Sequence, residues 1–136
     1  MSESNKSVVQ QFYDLYNQGA WDQLDSLVSA DYIHHSNNNH LNLAQFKRGA
    51  AWFRAGMPDF HIVMEDVVAE ADKVAVRFTG HGTHLGTFYN ESPTSKPVVI
   101  YGMMVYRVQN NHILEDWETV DEHDFMKQIG AIDQES

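Results

Sequence analysis

The segment PVVIYGMMVYRVQNNHILEDWETV, residues 97–120, carries the clearest strand and turn signals in the sequence. Its pattern predicts two β-strands, 97–108 and 112–120, joined by a hairpin turn at Asn110 and Asn111, because asparagine tolerates the positive φ of a two-residue turn. In the first strand one face carries Val98, Ile100, Gly102, Met104 and Tyr106, and the other carries Val99, Tyr101, Met103, Val105 and Arg107. Both faces are largely apolar, so both are expected to be covered.

The chain on the N-terminal side of this hairpin contains further strand and helix signals. Residues 60–71 and 74–78 are rich in Val and Ile and predict two more strands. Gly80, Gly82 and Gly86 predict a bend after them. Apolar residues at helical spacing predict helices before Gly19, over 21–28 and from Asn42 to Pro58, with a closing helix over 121–129 and a polar loop over 36–40.

This order of elements predicts an α+β fold in a single domain over residues 1–136. Three N-terminal helices would pack on a curved antiparallel sheet, with a short C-terminal helix at the end. The concave side of the sheet would form a pocket with the helices. The convex side would need a partner, which predicts a homodimer through the outer sheet face.

Composition excludes several classes of partner and chemistry. The 9 basic and 19 acidic residues give a net charge of −10, which argues against binding to nucleic acid or to anionic membranes. The chain has no Cys, which excludes disulfides, thiolate metal sites and Cys nucleophiles. The N-terminal residues lack the pattern of a signal peptide, and no apolar run approaches the ~20 residues that span a bilayer. We therefore expect a soluble, cytoplasmic protein.

Several catalytic motifs are absent from the sequence. There is no GxSxG elbow, no GxGxxG turn and no P-loop lysine, which disfavours serine hydrolase and nucleotide chemistry. The histidines show no HExxH spacing. We therefore expect no metal and no organic cofactor, which leaves proton transfer by carboxylate and imidazole.

The last predicted strand carries an unusual concentration of acids, because Asp and Glu are poor strand formers. Strand alternation places Glu115 on the same face as Ile113 and Trp117. Asp116 and Glu118 lie together on the opposite face. Whichever acids face the pocket should have raised pKa values, as a general acid or base requires. The alternative is an edge strand whose acids lie in water.

Four histidines are candidates to orient a substrate or to move a proton: His34, His35 and His40 before the third helix, and His84 in the Gly-rich bend. Each could equally be a structural or surface histidine. The large apolar side chains that could line a pocket, or simply fill the core, are Trp52, Phe53, Phe60, Met103, Met104 and Trp117.

The order of several short segments resembles the SnoaL-like polyketide cyclase (ester cyclase) family. These segments are Pro58-Asp59-Phe60-His61, residues 66–77, Gly82-Thr83-His84-Leu85-Gly86, Tyr106-Arg107-Val108 and residues 113–118. The resemblance runs over nearly the whole chain. It implies the NTF2-like fold, a cone-shaped α+β barrel that is commonly dimeric through its sheet.

The resemblance also implies a chemistry, an intramolecular aldol condensation without metal or organic cofactor. In this family an Asp in the last strand acts as acid and base, with a His on the neighbouring strand. Glu118 falls at the position of the acid, and Met104 at that of the His. His34 falls at a polar active-site position, and His84 lies in the family's Gly-x-His-x-Gly segment.

Two functions fit these observations. The first is a cofactor-independent acid/base enzyme (a cyclase, isomerase or lyase) acting on a small, largely apolar carbonyl compound, with Glu118 and His34 as catalytic residues. The alternative is a non-catalytic module that binds a small molecule, which the absence of a His at position 104 favours. A dimeric scaffold has no support beyond the fold. The remaining residues expected at the pocket are His35, Trp52, Phe60, His84, Met104 and Asp116.

Overall fold

The computed structural model describes residues 2–132, which form a curved sheet with helices packed on its concave face. The helices are α1 (Ser2–Gln18), a 3-10 helix (Trp21–Ser26), α2 (Leu43–Gly56) and α3 (Glu122–Gln128). The strands are β1 (Val28–Ser36), β2 (Asn39–Leu41), β3 (His61–Glu70), β4 (Lys73–Thr83), β5 (Pro97–Gln109) and β6 (His112–Val120). The expected α+β fold is confirmed.

The six strands form one sheet in the order β2-β1-β6-β5-β4-β3. The neighbouring strands are antiparallel except β1 and β6, which run parallel. In this parallel pair His34 lies opposite Asp116, and Ser36 lies opposite Glu118. The sheet therefore brings the histidines of the first half of the chain beside the acids of the second half.

The turns read from the sequence are present. Gly19 ends α1 with a φ of 69°, and Asn110 and Asn111 make the β5–β6 turn with φ values of 52° and 62°. The side chain of Asn42 caps α2 by accepting a hydrogen bond from the backbone N–H of Gln45, whose own side chain binds back to the Asn42 N–H.

The predicted order of helices first and strands second is wrong for β1 and β2, which lie between the 3-10 helix and α2. The polar run 36–40, predicted as a loop, is the tip of the β1–β2 hairpin. Asn37 takes a φ of 55° there, so the same asparagines that suggest a loop make a tight turn between strands. The predicted second helix is a short 3-10 helix, and Val28 already belongs to β1.

β4 continues through Gly80 and Gly82 to Thr83, so both glycines lie within the strand. A Cβ at Gly80 would lie 2.6 Å from the ring of Phe60. A Cβ at Gly82 would lie 2.9 Å from the sulfur of Met57. Both glycines therefore make room for side chains that pack on the concave face.

The two faces of β5 differ in exposure, although both are apolar. Met104 and Tyr106 are buried under α1, whereas Tyr101 and Met103 on the convex face are 55% and 56% exposed. The helices thus cover one face only. The homodimer through the convex face remains a prediction. Within residues 2–132, no helix combines the length and apolar character needed to cross a membrane.

Candidate active site

A cavity of about 310 Å³ lies between the concave face of the sheet and the helices α2 and α3. Its wall is mainly aromatic and aliphatic, with a polar end formed by β1, β2 and β6. The residues that line it are Tyr16, His34, Ser36, Asn39, Leu41, Phe46, Gly49, Ala50, Trp52, Phe53, Phe60, Ile62, Phe78, Tyr89, Ile100, Glu118, Val120, Glu122 and Phe125. A cavity of this size and character suits a small, largely apolar ligand.

His34 lies at the polar end of the cavity and is itself buried. Its Nδ1 donates a hydrogen bond to Oδ1 of Asp116 at 2.5 Å, and its ring packs edge-on against Phe46. Because a carboxylate only accepts hydrogen bonds, Nδ1 carries a proton. The Nε2 edge of the ring is therefore the one left for a ligand.

Asp116 lies behind His34 and is fully buried, with 0% of its surface exposed. The hydroxyl of Tyr32 donates to its Oδ2 at 2.6 Å, so both carboxylate oxygens are occupied. Burial raises the pKa of Asp116, and the hydrogen bond and charge of His34 oppose that shift without cancelling it. Asp116 therefore orients the imidazole and does not itself line the cavity.

The charge of His34 is set by the two acids around it. Burial lowers its pKa, but hydrogen bonds and charge from Asp116 and Glu118 outweigh burial and raise the pKa of His34 to about 10. The raised pKa values of His34 and Asp116 have the same meaning for the pair: the folded protein binds a proton there more tightly than the unfolded chain does. His34 is thus an imidazolium at neutral pH.

Glu118 lies on the cavity wall beside His34. Its Oε1 accepts a hydrogen bond from the hydroxyl of Ser36 at 3.1 Å and lies 3.6 Å from Nε2 of His34. A distance of 3.6 Å is longer than a hydrogen bond, so neither group is fully occupied by the other. A carboxylate and an imidazolium N–H thus line one end of the same cavity, which is an arrangement suited to general acid and base chemistry.

Trp52 and Phe60 line the cavity together with His34 and Glu118, as the sequence predicts. Four other residues expected at the pocket do not line it, and the reasons differ. One is Asp116, whose expected place at the pocket is corrected because it lies fully buried behind His34. Met104 is buried in the core. Its sulfur accepts hydrogen bonds there from the hydroxyls of Tyr106 at 3.1 Å and Tyr13 at 3.7 Å. The expectation that Met104 lines the pocket is therefore corrected.

His35 lies on the convex face, opposite to the cavity. Its ring stacks on Trp117 with a centroid distance of 5.3 Å, and its Nε2 donates to Glu115 at 2.9 Å. Because neighbouring residues of a strand point to opposite faces, His34 and His35 cannot both reach the cavity. The expectation of His35 as a pocket residue is corrected for this reason.

His84 is buried after the end of β4, away from the cavity wall. Its Nδ1 accepts a hydrogen bond from the backbone N–H of Thr94 at 3.3 Å, and its ring lies 5.7 Å from that of Phe88. It joins the two ends of the loop between β4 and β5 through backbone bonds to Lys96 and Ser95. The expectation of His84 as a pocket residue is corrected: its contacts are those of a loop anchor.

The sequence assigns the acids of the last strand to the correct faces of the sheet, but it assigns Ile113 to the wrong face. Glu115 and Trp117 lie on the convex face, and Asp116 and Glu118 lie on the concave face. The register between β5 and β6 shifts at Leu114, between Ile113 and Glu115, so Ile113 is fully buried instead of sharing the face of Glu115. A β-bulge with an extra residue reverses the alternation in this way.

Tyr32 and Ser36 are the site residues that sequence reasoning missed. Both lie on β1 at two-residue spacing from His34, on the same face of the strand. Strand alternation over residues 32–36 could have identified them, but the sequence analysis predicts no strand there. Among residues 2–132, no group of three or more His, Asp or Glu is arranged to bind a metal ion.

Comparison with known proteins adds a family and several similar structures. The family model described as SnoaL-like polyketide cyclase matches residues 6–129. AclR of Streptomyces galilaeus, a suggested hydroxylase, is similar with a TM-score of 0.91 and 21% identity over 98% of this chain and 85% of that protein. IdmH of Streptomyces antibioticus, a suggested polyketide cyclase, is similar with a TM-score of 0.86 and 23% identity over 93% of this chain and 98% of that protein. No curated protein matches the chain significantly.

Proposed function

The chain belongs to the SnoaL-like polyketide cyclase family, and on that premise we propose that it is a cofactor-independent acid/base enzyme. Family membership supports a cyclase-type role. The proposed reaction is that of a cyclase, isomerase or lyase on a small, largely apolar carbonyl compound bound in the cavity. The single observation that carries the proposal is the position of His34, between the buried Asp116 and the cavity-lining Glu118.

Glu118 is the proposed base. Its carboxylate lies on the cavity wall, and it receives one hydrogen bond, from Ser36, which orients the group without neutralising it. In the proposed step it takes a proton from the carbon next to the ligand's carbonyl group. The C–H bond breaks, the proton passes to Glu118, and the electron pair moves through the new C=C bond to the carbonyl oxygen as an enolate.

His34 is the proposed electrophile. Its Nε2–H is directed to the end of the cavity where Glu118 lies, so it can donate to the oxygen on which the enolate charge develops. Asp116 and Tyr32 fix the ring orientation and favour the charged form. In the family pattern an imidazole lies at position 104; here Met104 is in the core, and His34 supplies the imidazole from β1.

The enolate has two ways to react further. When the ligand carries a C=C bond next to the deprotonated carbon, the electron pair spreads over a dienolate, and return of the proton from Glu118 to its far carbon gives an isomerisation. Attack of the enolate carbon on a second carbonyl of the same molecule forms a C–C bond and gives a cyclisation, with the proton of His34 or Glu118 passing to the new alkoxide. The same two groups serve both outcomes, so the shape of the ligand decides between them.

The experiment that tests this proposal follows exchange of the α-protons of 2-tetralone in D₂O by ¹H NMR. This bicyclic ketone is small and apolar, which suits the aromatic wall of the cavity. We expect wild-type protein to accelerate the exchange in proportion to its concentration, well above an equal concentration of His34→Gln. Equal rates with wild type and His34→Gln would contradict the proposal.

The alternative function is a binding module with the same fold. It is favoured by the length of the His34–Glu118 distance, 3.6 Å, because no preformed hydrogen bond links the two groups. The same experiment separates the two functions. A module that only binds would broaden or shift the 2-tetralone signals without accelerating the exchange of its α-protons.

A further inference from the structure

The wall of the cavity carries formal negative charge. Of the described residues that line it, none is Lys or Arg, and two are acids, Glu118 and Glu122. The positive charge of His34 is balanced by the buried carboxylate of Asp116. Arg54 lies nearby, but its guanidinium donates to the backbone carbonyls of Tyr16 and Asn17 and does not line the cavity. An anionic ligand would therefore meet repulsion without a compensating cation.

The aromatic rings at one side of the cavity lie close to one of these acids. The rings of Trp52 and Tyr89 are in edge contact at a centroid distance of 5.4 Å, and both side chains are about half exposed, at 45% and 46%. Burial raises the pKa of Tyr89, and the nearby carboxylate of Glu122 raises it further. The result is two half-exposed aromatic rings and a carboxylate, all three on the cavity wall.

The backbone that presents Tyr89 is in an unfavourable conformation. Tyr89 and Asn90 have φ values of 48° and 65°, and the flanking Phe88 and Glu91 pair through two backbone hydrogen bonds, of 3.2 and 2.6 Å. Asparagine adopts such a conformation readily, whereas a bulky aromatic residue does so rarely and at a cost. A tyrosine at the first position of this turn is therefore a costly way to close the loop. Its ring instead completes the aromatic wall.

We infer that the ligand of this cavity carries a positively charged amine, which binds between Glu122 and the rings of Trp52 and Tyr89. The inference rests on the proposed function and narrows its substrate class to an apolar carbonyl compound with an ammonium group. The ring faces attract a cation through their quadrupoles, and the carboxylate neutralises it. The apolar body then extends along the aromatic wall toward His34 and Glu118.

The experiment compares three probes of nearly the same size that differ in charge. 2-Phenylethylamine is a cation, 2-phenylethanol is neutral, and phenylacetate is an anion. Calorimetric titration of the wild-type protein is expected to show the tightest binding for the amine, about fivefold or more over the alcohol, with phenylacetate the weakest.

Substitutions show which residues cause the preference for the amine over the alcohol. Glu122→Gln is expected to reduce amine binding about fivefold and to leave the alcohol unchanged, because the variant removes a charge and little volume. Tyr89→Leu is expected to weaken binding of the amine more than binding of the alcohol. The matched control is Glu91→Gln, because Glu91 lies on the loop that carries Tyr89 but not on the cavity wall. This variant should bind all three probes as the wild type does.

Three results would overturn the inference: equal or tighter binding of the alcohol or of phenylacetate, an unchanged amine preference in Glu122→Gln, or no binding of the amine. None of them depends on catalysis. Exchange of the uncharged 2-tetralone without an amine preference would refute the inference and leave the proposed function in place. An amine preference without exchange would refute catalysis and leave the inference in place.

Discussion

Replacing Glu118 by glutamine is expected to lower the protein's acceleration of 2-tetralone α-proton exchange by about 10²–10⁴-fold, the range that a positioned general base contributes. Glutamine keeps the shape of the side chain and can still accept a hydrogen bond from Ser36, which the glutamate accepts at 3.1 Å. It cannot take a proton at neutral pH. The loss should therefore fall on kcat, with little change in KM.

The control for this variant is Glu70→Gln, which makes the same chemical change at the exposed end of β3, far from the cavity wall. Its exchange rate should equal that of the wild type. Circular dichroism and thermal unfolding of both variants check that the fold is intact. An exchange rate for Glu118→Gln within about threefold of the wild type would exclude Glu118 as the base.

Replacing Asp116 by alanine is expected to lower the free energy of unfolding by about 3–5 kcal/mol, since it leaves the buried His34 without its partner. The hydrogen bond from Tyr32 would be lost as well. The control is Asp66→Ala, which breaks an ion pair with Arg77 whose side chains are 63% and 51% exposed. An exposed pair contributes about 0–1 kcal/mol. Urea denaturation of both variants gives the comparison.

The stability of the wild type should also depend on pH through this pair. The pKa of His34 is raised from 6.5 to about 10, so its contribution is fully present below pH 6.5 and is lost as the pH rises toward 10. The folded state binds more protons than the unfolded state over this interval, so the unfolding free energy falls with rising pH. Burial raises the pKa of Asp116, which acts in the same direction.

Asp116→Asn is the second variant, in case Asp116→Ala does not fold. Asparagine keeps the volume and one acceptor for His34, so the destabilisation should be smaller, while the fall in stability between pH 6.5 and 10 should largely disappear. A loss of less than about 1 kcal/mol in Asp116→Ala, together with an unchanged pH profile in Asp116→Asn, would contradict the role of this pair.

The C-terminal hairpin could be predicted from the sequence because its signals are local. The alternation of β5, the turn at Asn110 and Asn111, and the placement of Asp116 and Glu118 on one face all depend on residues close together in the chain. The bulge at Leu114 could not be predicted, since an extra residue leaves no mark in the composition of a strand.

The environment of His34 could be predicted only in part. The sequence identified the residue, but its partner depends on the parallel pairing of β1 with β6, which joins residues 82 positions apart in the chain. Such a pairing is set by the whole sheet, and no local pattern encodes it. The choice between His34 and His35 depends on the same register, because adjacent strand residues face opposite sides.

The hairpin at Asn37 was missed because asparagine runs favour both loops and tight turns.

In this site His34, placed between Asp116 and Glu118, is an imidazolium able to act on a ligand in the cavity. A ¹⁵N NMR titration of the His34 ring in the wild-type protein measures that charge. We expect both ring nitrogens to stay protonated through pH 8 and the pKa to be about 10. A neutral His34 ring at pH 7, with a pKa at or below the ordinary 6.5, would contradict this expectation.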